Sequence, residues 1–167
     1  MKEGLNAGNF EIERKYLIEY PDCNMLLSKD GCRRLDITQT YLAPVGETER
    51  RIRLVREADE VRYYKTEKTP VNGLKRREKE ALIGCGEYCA ILKAEKHPRV
   101  LSKTRYSIPF DGHIIEIDIY PFWNDRAIAE TEMSSEMETV ALPPFIRVIK
   151  EVTGDPQYKN SSLAREE

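Results

Sequence analysis

Alternation with a period of two dominates this chain. In Phe10–Glu19, FEIERKYLIE, the charged residues Glu11, Glu13 and Lys15 take one set of alternate positions. Phe10, Ile12, Tyr16 and Ile18 take the other, with Arg14 among them. Successive side chains on a strand point to opposite faces, so this pattern predicts a strand with one charged face. Segments of the same kind recur at roughly 10–18, 37–43, 49–56, 61–68, 75–83, 101–109, 114–120 and 127–133. About eight strands are enough to close a small barrel. Helical segments lie between them. Met25, Leu26 and Leu27 mark one over Pro21–Arg34 with Asp22 as N-cap. Tyr88, Ile91 and Leu92 mark another over Gly84–Lys96. Ser134–Val152 contains Pro143 and Pro144, which predict a turn followed by a helix from about Pro144. Val152-Thr153-Gly154 with Asp155-Pro156 reads as a helix stop and turn, and YKNSSLAREE as a short final helix capped near Asn160 or Ser161. Asn72-Gly73 marks a turn between two strands.

On seven of the eight segments a set of charged residues holds one phase. Arg51 and Arg53 oppose Ile52 and Leu54. Lys68 is in phase with Tyr64 and Thr66, and Arg76 with Glu78 and Glu80. Lys103 and Arg105 share a face. Glu116 and Asp118 oppose Ile115, Ile117 and Ile119, and Glu130 is in phase with Glu132. For a single strand, a solvated charged face explains this pattern. Across the chain it fits less well, because four strands carry like-charged acids at i, i+2, which repel without a counter-ion. The few helices also cover apolar strand faces more naturally from outside a barrel. The pattern therefore predicts a barrel with its charged faces turned inward around a hydrated tunnel. Clustered Arg and Lys suit phosphate oxygens, and clustered carboxylates suit a hard divalent cation such as Mg²⁺ or Mn²⁺.

Length and composition narrow the setting. A chain of 167 residues is read as a single domain, 1–167. The formal net charge of −2 gives no global field to recruit nucleic acid or an anionic membrane. No apolar stretch reads as a signal or a membrane span, so a cytoplasmic location is expected. Cys23, Cys32, Cys85 and Cys89 form no C-x-x-C pair, and His97 and His113 are the only histidines, so zinc-finger spacing is absent. Cys85 and Cys89, four apart on a helix, are expected as buried free thiols. Neither a Walker A loop nor a G-x-S-x-G elbow is present.

The run Glu11-Ile12-Glu13-Arg14-Lys15 resembles the ExExK signature of the CYTH domain, the triphosphate tunnel metalloenzyme superfamily. Arg51-Ile-Arg53, Thr66-Glu-Lys68, Arg76-x-Glu78-x-Glu80, Lys103-Thr-Arg105-Tyr106, Glu116-Ile-Asp118 and Glu130-Thr-Glu132 resemble its later strands in order. EVTGDPQYKNSSLA is similar to the C-terminal helix and plug of small bacterial members. The resemblance implies an α+β fold: an eight-stranded antiparallel barrel forming a tunnel, with helices outside. It implies Glu11, Glu13 and Glu132 on the main divalent ion, with Glu130, Glu116, Asp118, Glu78 and Glu80 as further metal or supporting carboxylates. Lys15, Arg51, Arg53, Lys68, Arg76, Lys103 and Arg105 would grip the triphosphate, and Tyr41 would stand near the leaving phosphate. Glu78 and Glu80 read equally as ion-pair partners of the arginines. A register slip would let Lys65 claim the place of Lys68, and a one-residue slip or a bulge would exchange Arg76 and Arg77. The implied activity is Mg²⁺- or Mn²⁺-dependent hydrolysis of tripolyphosphate. The alternatives are a class IV adenylate cyclase, a thiamine or nucleoside triphosphatase, or a binding module without catalysis. Phe122 and Trp123 are candidates to stack on an organic group. The oligomeric state stays open.

Overall fold

The computed structural model describes residues 9–166, so segment 1–8 of the N-terminus lies outside the described residues. All eight expected strands form. The first is interrupted at Ile12, giving β1 (Asn9–Glu11) and β2 (Glu13–Glu19). The others are β3 (Arg33–Val45), β4 (Thr48–Glu57), β5 (Glu60–Asn72), β6 (Lys75–Ile83), β7 (Arg99–Phe110), β8 (His113–Ile119) and β9 (Arg126–Glu132). The helices are α1 (Cys23–Leu27), α2 (Cys85–Ala94) and α3 (Asn160–Leu163). The strands run in the order β1-β6-β5-β4-β3-β7-β8-β9-β2 and every pairing is antiparallel. β1 pairs with β6 and β2 with β9. The ladder is therefore an open path whose two ends are joined by the chain itself, through Ile12.

Local chemistry accounts for the connections. The β7–β8 hairpin turns on Asp111 and Gly112, both at positive φ (48° and 76°), as a tight hairpin requires. Gly73 at φ 49° supplies the expected turn between β5 and β6. Asp22 caps α1, accepting from the Asn24 and Met25 amides. That helix stops at Leu27, well short of Arg34, because Arg33 and Arg34 already pair with β7.

The apolar phase of the strands faces outward, under the helices and loops. Ile18, Tyr106, Ile108, Ile115, Ile117, Ala127 and Ala129 form a core with Leu26 of α1. Leu42 and Ile52 pack against Tyr88 of α2. A third cluster closes one end of the barrel, where Leu163 and Ala164 meet Leu17, Tyr41, Leu101, Tyr120 and Ile128.

Three expectations are corrected. The helix from Pro144 does not form; Val148–Glu151 is instead a strand, β10, paired with the free edge of β2. Val148 and Ile149 are β-branched, and β2 offers them an unpaired edge, so tertiary context overrides the helical reading. The last helix starts after Lys159, without a side-chain cap at Asn160 or Ser161, and a two-residue strand β11 (Arg165–Glu166) follows it on β7. Cys85 and Cys89 are exposed, because Tyr88 takes the buried face of α2 and the thiols fall on another.

Candidate active site

Cross-strand neighbours share a face, so register alone fixes what points inward. Glu13 stands opposite Glu132, Lys15 opposite Glu130, and Glu116 opposite Glu130. Arg105 lies opposite Asp118, Arg53 opposite Gln39, Arg51 opposite Tyr41 and Thr66, and Lys68 opposite Glu78. Arg76 stands opposite Glu11. These side chains surround a cavity of about 810 Å³ running through the barrel. Of the expected site residues, all but Asp118 line it. Lys68 and Arg76 line it and Lys65 and Arg77 do not, so neither register slip occurs.

The wall is cross-linked by ion pairs. Arg105 is the hub: its Nε and Nη2 donate to Asp118 at 2.6 and 2.8 Å, Nη1 to Glu116 at 2.5 Å and Nη2 also to Glu130 at 3.1 Å. Lys103 Nζ donates to Asp118 Oδ2 at 2.5 Å. Asp118 is completely buried beneath the lining, with both oxygens taken, and its carboxyl is held below the usual range by Arg105 and Lys103 against the cost of burial. Lys15 contacts Glu130 at 2.8 Å and also donates to the Tyr158 carbonyl at 3.3 Å. Arg53 donates to Glu80 at 2.5 Å, and Thr66 to the same oxygen at 2.9 Å. Glu80 therefore takes the ion-pair role that the sequence left open. Lys68 bridges Glu11 at 2.6 Å and Glu78 at 2.9 Å.

Two imbalances remain. The first is anionic. Glu11, Glu13, Glu78, Glu116 and Glu132 lie close enough to perturb one another, and among them Glu13 and Glu132 have no ion-pair partner in the described residues. Burial pushes the Glu11 carboxyl up to about 7, and Glu13 and Glu78 add to that while Lys68 opposes it. Burial, Glu116 and Glu78 raise Glu132 as well. Among the described residues no three carboxylates converge on one point; Glu11 is turned onto Lys68. Glu11 and Glu132, raised by burial and by neighbouring carboxylates, belong to an oxygen-rich set that fits a hard divalent cation.

The second imbalance is cationic. Among the described residues, Arg51 has no carboxylate within ion-pair distance, although it is only 9% exposed. The buried Nε atoms of Arg51 and Arg53 have no hydrogen-bond acceptor. Burial and the Arg51 charge beside it lower Arg53. Burial and Arg105 lower Lys103 to about 8, with Asp118 opposing. Gln39 Nε2 donates to the Tyr41 hydroxyl at 2.7 Å, which fixes Tyr41 beside Arg51 on the wall.

Strand phase could not reveal every lining residue. Lys159, Asn160 and Ser161 enter from the C-terminal plug, and Arg33 and His113 from the opposite rim. The plug is tied down by Tyr120 donating to Asn160 at 2.6 Å and Arg99 donating to the Ser161 carbonyl at 2.5 Å. Phe122 and Trp123 stack with Tyr120 outside the lining, and Trp123 packs on Tyr158.

An antiparallel barrel lined with both signs of charge defines a charged-tunnel protein. The chain is 32% identical to an inorganic triphosphatase of Acetivibrio thermocellus over 156 residues, 93% of each chain. It belongs to the CYTH, or triphosphate tunnel metalloenzyme, superfamily. The crystal structure of the inorganic triphosphatase NE1496 superposes with a TM-score of 0.54 at 29% identity, covering 92% of this chain and 93% of that one. A protein of unassigned function from Pyrococcus furiosus shares the fold at a TM-score of 0.56 and 20% identity, covering 75% of this chain and 80% of that one. No family model matches the chain.

Proposed function

We propose that this protein is a metal-dependent triphosphatase that hydrolyses inorganic tripolyphosphate, or a related linear triphosphate, inside the tunnel. The observation that carries the reading is the pair of opposite deficits on one wall. Arg51 and Arg53 present buried, unmatched N–H groups, while Glu13 and Glu132 face each other with no cationic partner among the described residues and Glu11 shares Lys68 with Glu78. A polyphosphate held with a divalent ion satisfies both at once. The 32% identity to an inorganic triphosphatase supports the same conclusion.

Phosphoryl transfer needs positioning and charge neutralisation more than covalent help. Arg51, Arg53, Lys15, Lys68, Arg76, Lys103 and Arg105 would orient the phosphate oxygens. Arg51 and Arg53 act directly, and Lys15 and Lys68 after exchanging a carboxylate for a phosphate. Glu11, Glu13 and Glu132 would hold Mg²⁺ or Mn²⁺, with Glu116, Glu130 and Glu78 around them. Bound there, the ion would neutralise phosphate charge and lower the pKa of its water. Asp118 serves as the fixed partner of Arg105 and Lys103. Tyr41, held by Gln39, borders the phosphate-binding wall. The aromatic cluster lies off the lining, so a base pocket for a cyclase has no support in the wall.

The test is phosphate release from tripolyphosphate, ATP and thiamine triphosphate in parallel, with Mg²⁺, Mn²⁺ or a chelator, and cyclic AMP measured alongside. Release from tripolyphosphate that vanishes with chelator and in Glu13→Ala is the expected result. Cyclic AMP from ATP, or binding without turnover, would replace the proposal.

A further inference from the structure

We propose that Cys85 and Cys89 form a surface dithiol site for a soft, thiophilic cation of the zinc and cadmium class. The site is separate from the tunnel and lies on the outer helix α2.

Both thiols are exposed and free, and their sulfurs lie 4.0 Å apart on the first two turns of the helix. Two thiolates on one tetrahedral zinc ion, each at about 2.3 Å, stand about 3.8 Å apart. The observed separation is close to that spacing and nearly twice the roughly 2.05 Å of a disulfide. The pair is thus spaced to share an ion without moving the backbone.

The surroundings are open where a ligand would enter. A side-chain carbon placed on Gly84 or on Gly86 would meet nothing within 4 Å. The Tyr63 ring packs against Tyr88 at a centroid distance of 4.9 Å. Tyr88 in turn anchors the helix on Leu42 and Ile52, which holds the two thiols in register. Two thiolates from the chain leave the remaining positions of a tetrahedral ion to solvent or an incoming ligand, which describes an exchangeable site. Thiolate ligands select soft metals, whereas the tunnel's carboxylates are oxygen donors of the kind Mg²⁺ and Mn²⁺ prefer. The two sites therefore take different ions. Binding is balanced by loss of the two thiol protons to buffer.

The test titrates the reduced full-length protein with Cd²⁺ and follows the ultraviolet thiolate-to-cadmium charge-transfer band. That band is silent for carboxylate-bound cadmium. One Cd²⁺ per chain is expected, displaceable by Zn²⁺. The band should persist in Cys23→Ser/Cys32→Ser and weaken about tenfold or more in affinity in Cys85→Ser and in Cys89→Ser. Bound Cd²⁺ should also protect Cys85 and Cys89, but not Cys23 and Cys32, from alkylation in the unmutated protein. A band that survives Cys85→Ser/Cys89→Ser, is lost in Cys23→Ser/Cys32→Ser, or never forms overturns the site, as does protection of the wrong pair.

Discussion

Glu13 and Glu132 face each other directly across β2 and β9 on the inner wall of the barrel. Like charges placed opposite one another on a sheet cost about 0.2–1 kcal/mol. Their position is explained by what they share, since a cation between them converts the repulsion into a binding site. Neutralising one should therefore stabilise the metal-free protein while harming it as an enzyme. Glu132→Gln is expected to raise the melting temperature in chelator by a degree or more and to remove most triphosphatase activity. Differential scanning calorimetry paired with a phosphate-release assay checks both halves. A variant that is less stable and fully active would refute the assignment.

Arg51 and Arg105 should respond in opposite ways to truncation. Arg51 has no carboxylate partner among the described residues, so Arg51→Ala should leave the fold intact and lower kcat/KM by about 10²–10³-fold. Arg105 neutralises Asp118, Glu116 and Glu130 together. Removing it leaves a fully buried aspartate with Lys103 as its one remaining ion-pair partner, and breaking a buried pair costs about 3–5 kcal/mol. Urea denaturation should show Arg105→Ala severely destabilised beside a near-native Arg51→Ala.

Glu11 sets a pH dependence. Its folded carboxyl is raised from 4.5 to about 7, so the metal-free fold takes up a proton there. The sign follows: the neutral carboxyl favours folding below about 4.5, and that advantage is lost as pH rises through about 7. Metal binding needs the ionised form, so affinity should fall as pH drops below about 7, with proton release on binding. Isothermal titration with Mn²⁺ in buffers of different ionisation enthalpy measures that proton, and it should disappear in Glu11→Gln.

At the tunnel rim, His113 Nε2 lies 2.7 Å from Glu138 Oε1, and Glu138 also accepts from the Ser134 amide and hydroxyl. Those bonds hold Glu138 down at about 2 and raise His113 above its usual 6.5. A raised histidine stabilises fully below 6.5 and loses that contribution as pH climbs through its folded value. An NMR titration should find His113 above 6.5 in the native protein and near 6.5 in Glu138→Gln.

Much of this was readable in advance, for a definite reason. A strand alternates strictly, so Arg51 and Arg53, or Glu116 and Asp118, had to share a face, and in-phase charges on most strands implied a charged interior. The same rule separated Lys68 from Lys65 once the register was known. What it could not supply came from long-range partners. Nothing in Val148–Glu151 announces that β2 has a free edge, so a helix was the natural reading. The plug residues Lys159 to Ser161 reach the cavity from a short helix to which strand phase does not apply. Asp118 keeps the right phase but sits behind the wall, because Arg105 is long enough to cover it. The exposure of Cys85 and Cys89 depended on which side of α2 Tyr88 would claim.

The interruption at Ile12 has a kinetic meaning. The first strand bonds to β6 before that residue and to β9 after it, so it is the stave that shuts the ring. Glu13 and Glu132 are separated by more than a hundred residues, and contacts that distant form slowly. During synthesis, β3 to β6 can zip as successive hairpins, and β7 can then dock on β3 and pair with β8, while the N-terminal stave waits for β9 to emerge. Glu11, Glu13 and Lys15 lie on that stave. The tunnel is thus assembled and made competent in the same event, and a chain cut before β9 is left with its ring open and its carboxylates apart.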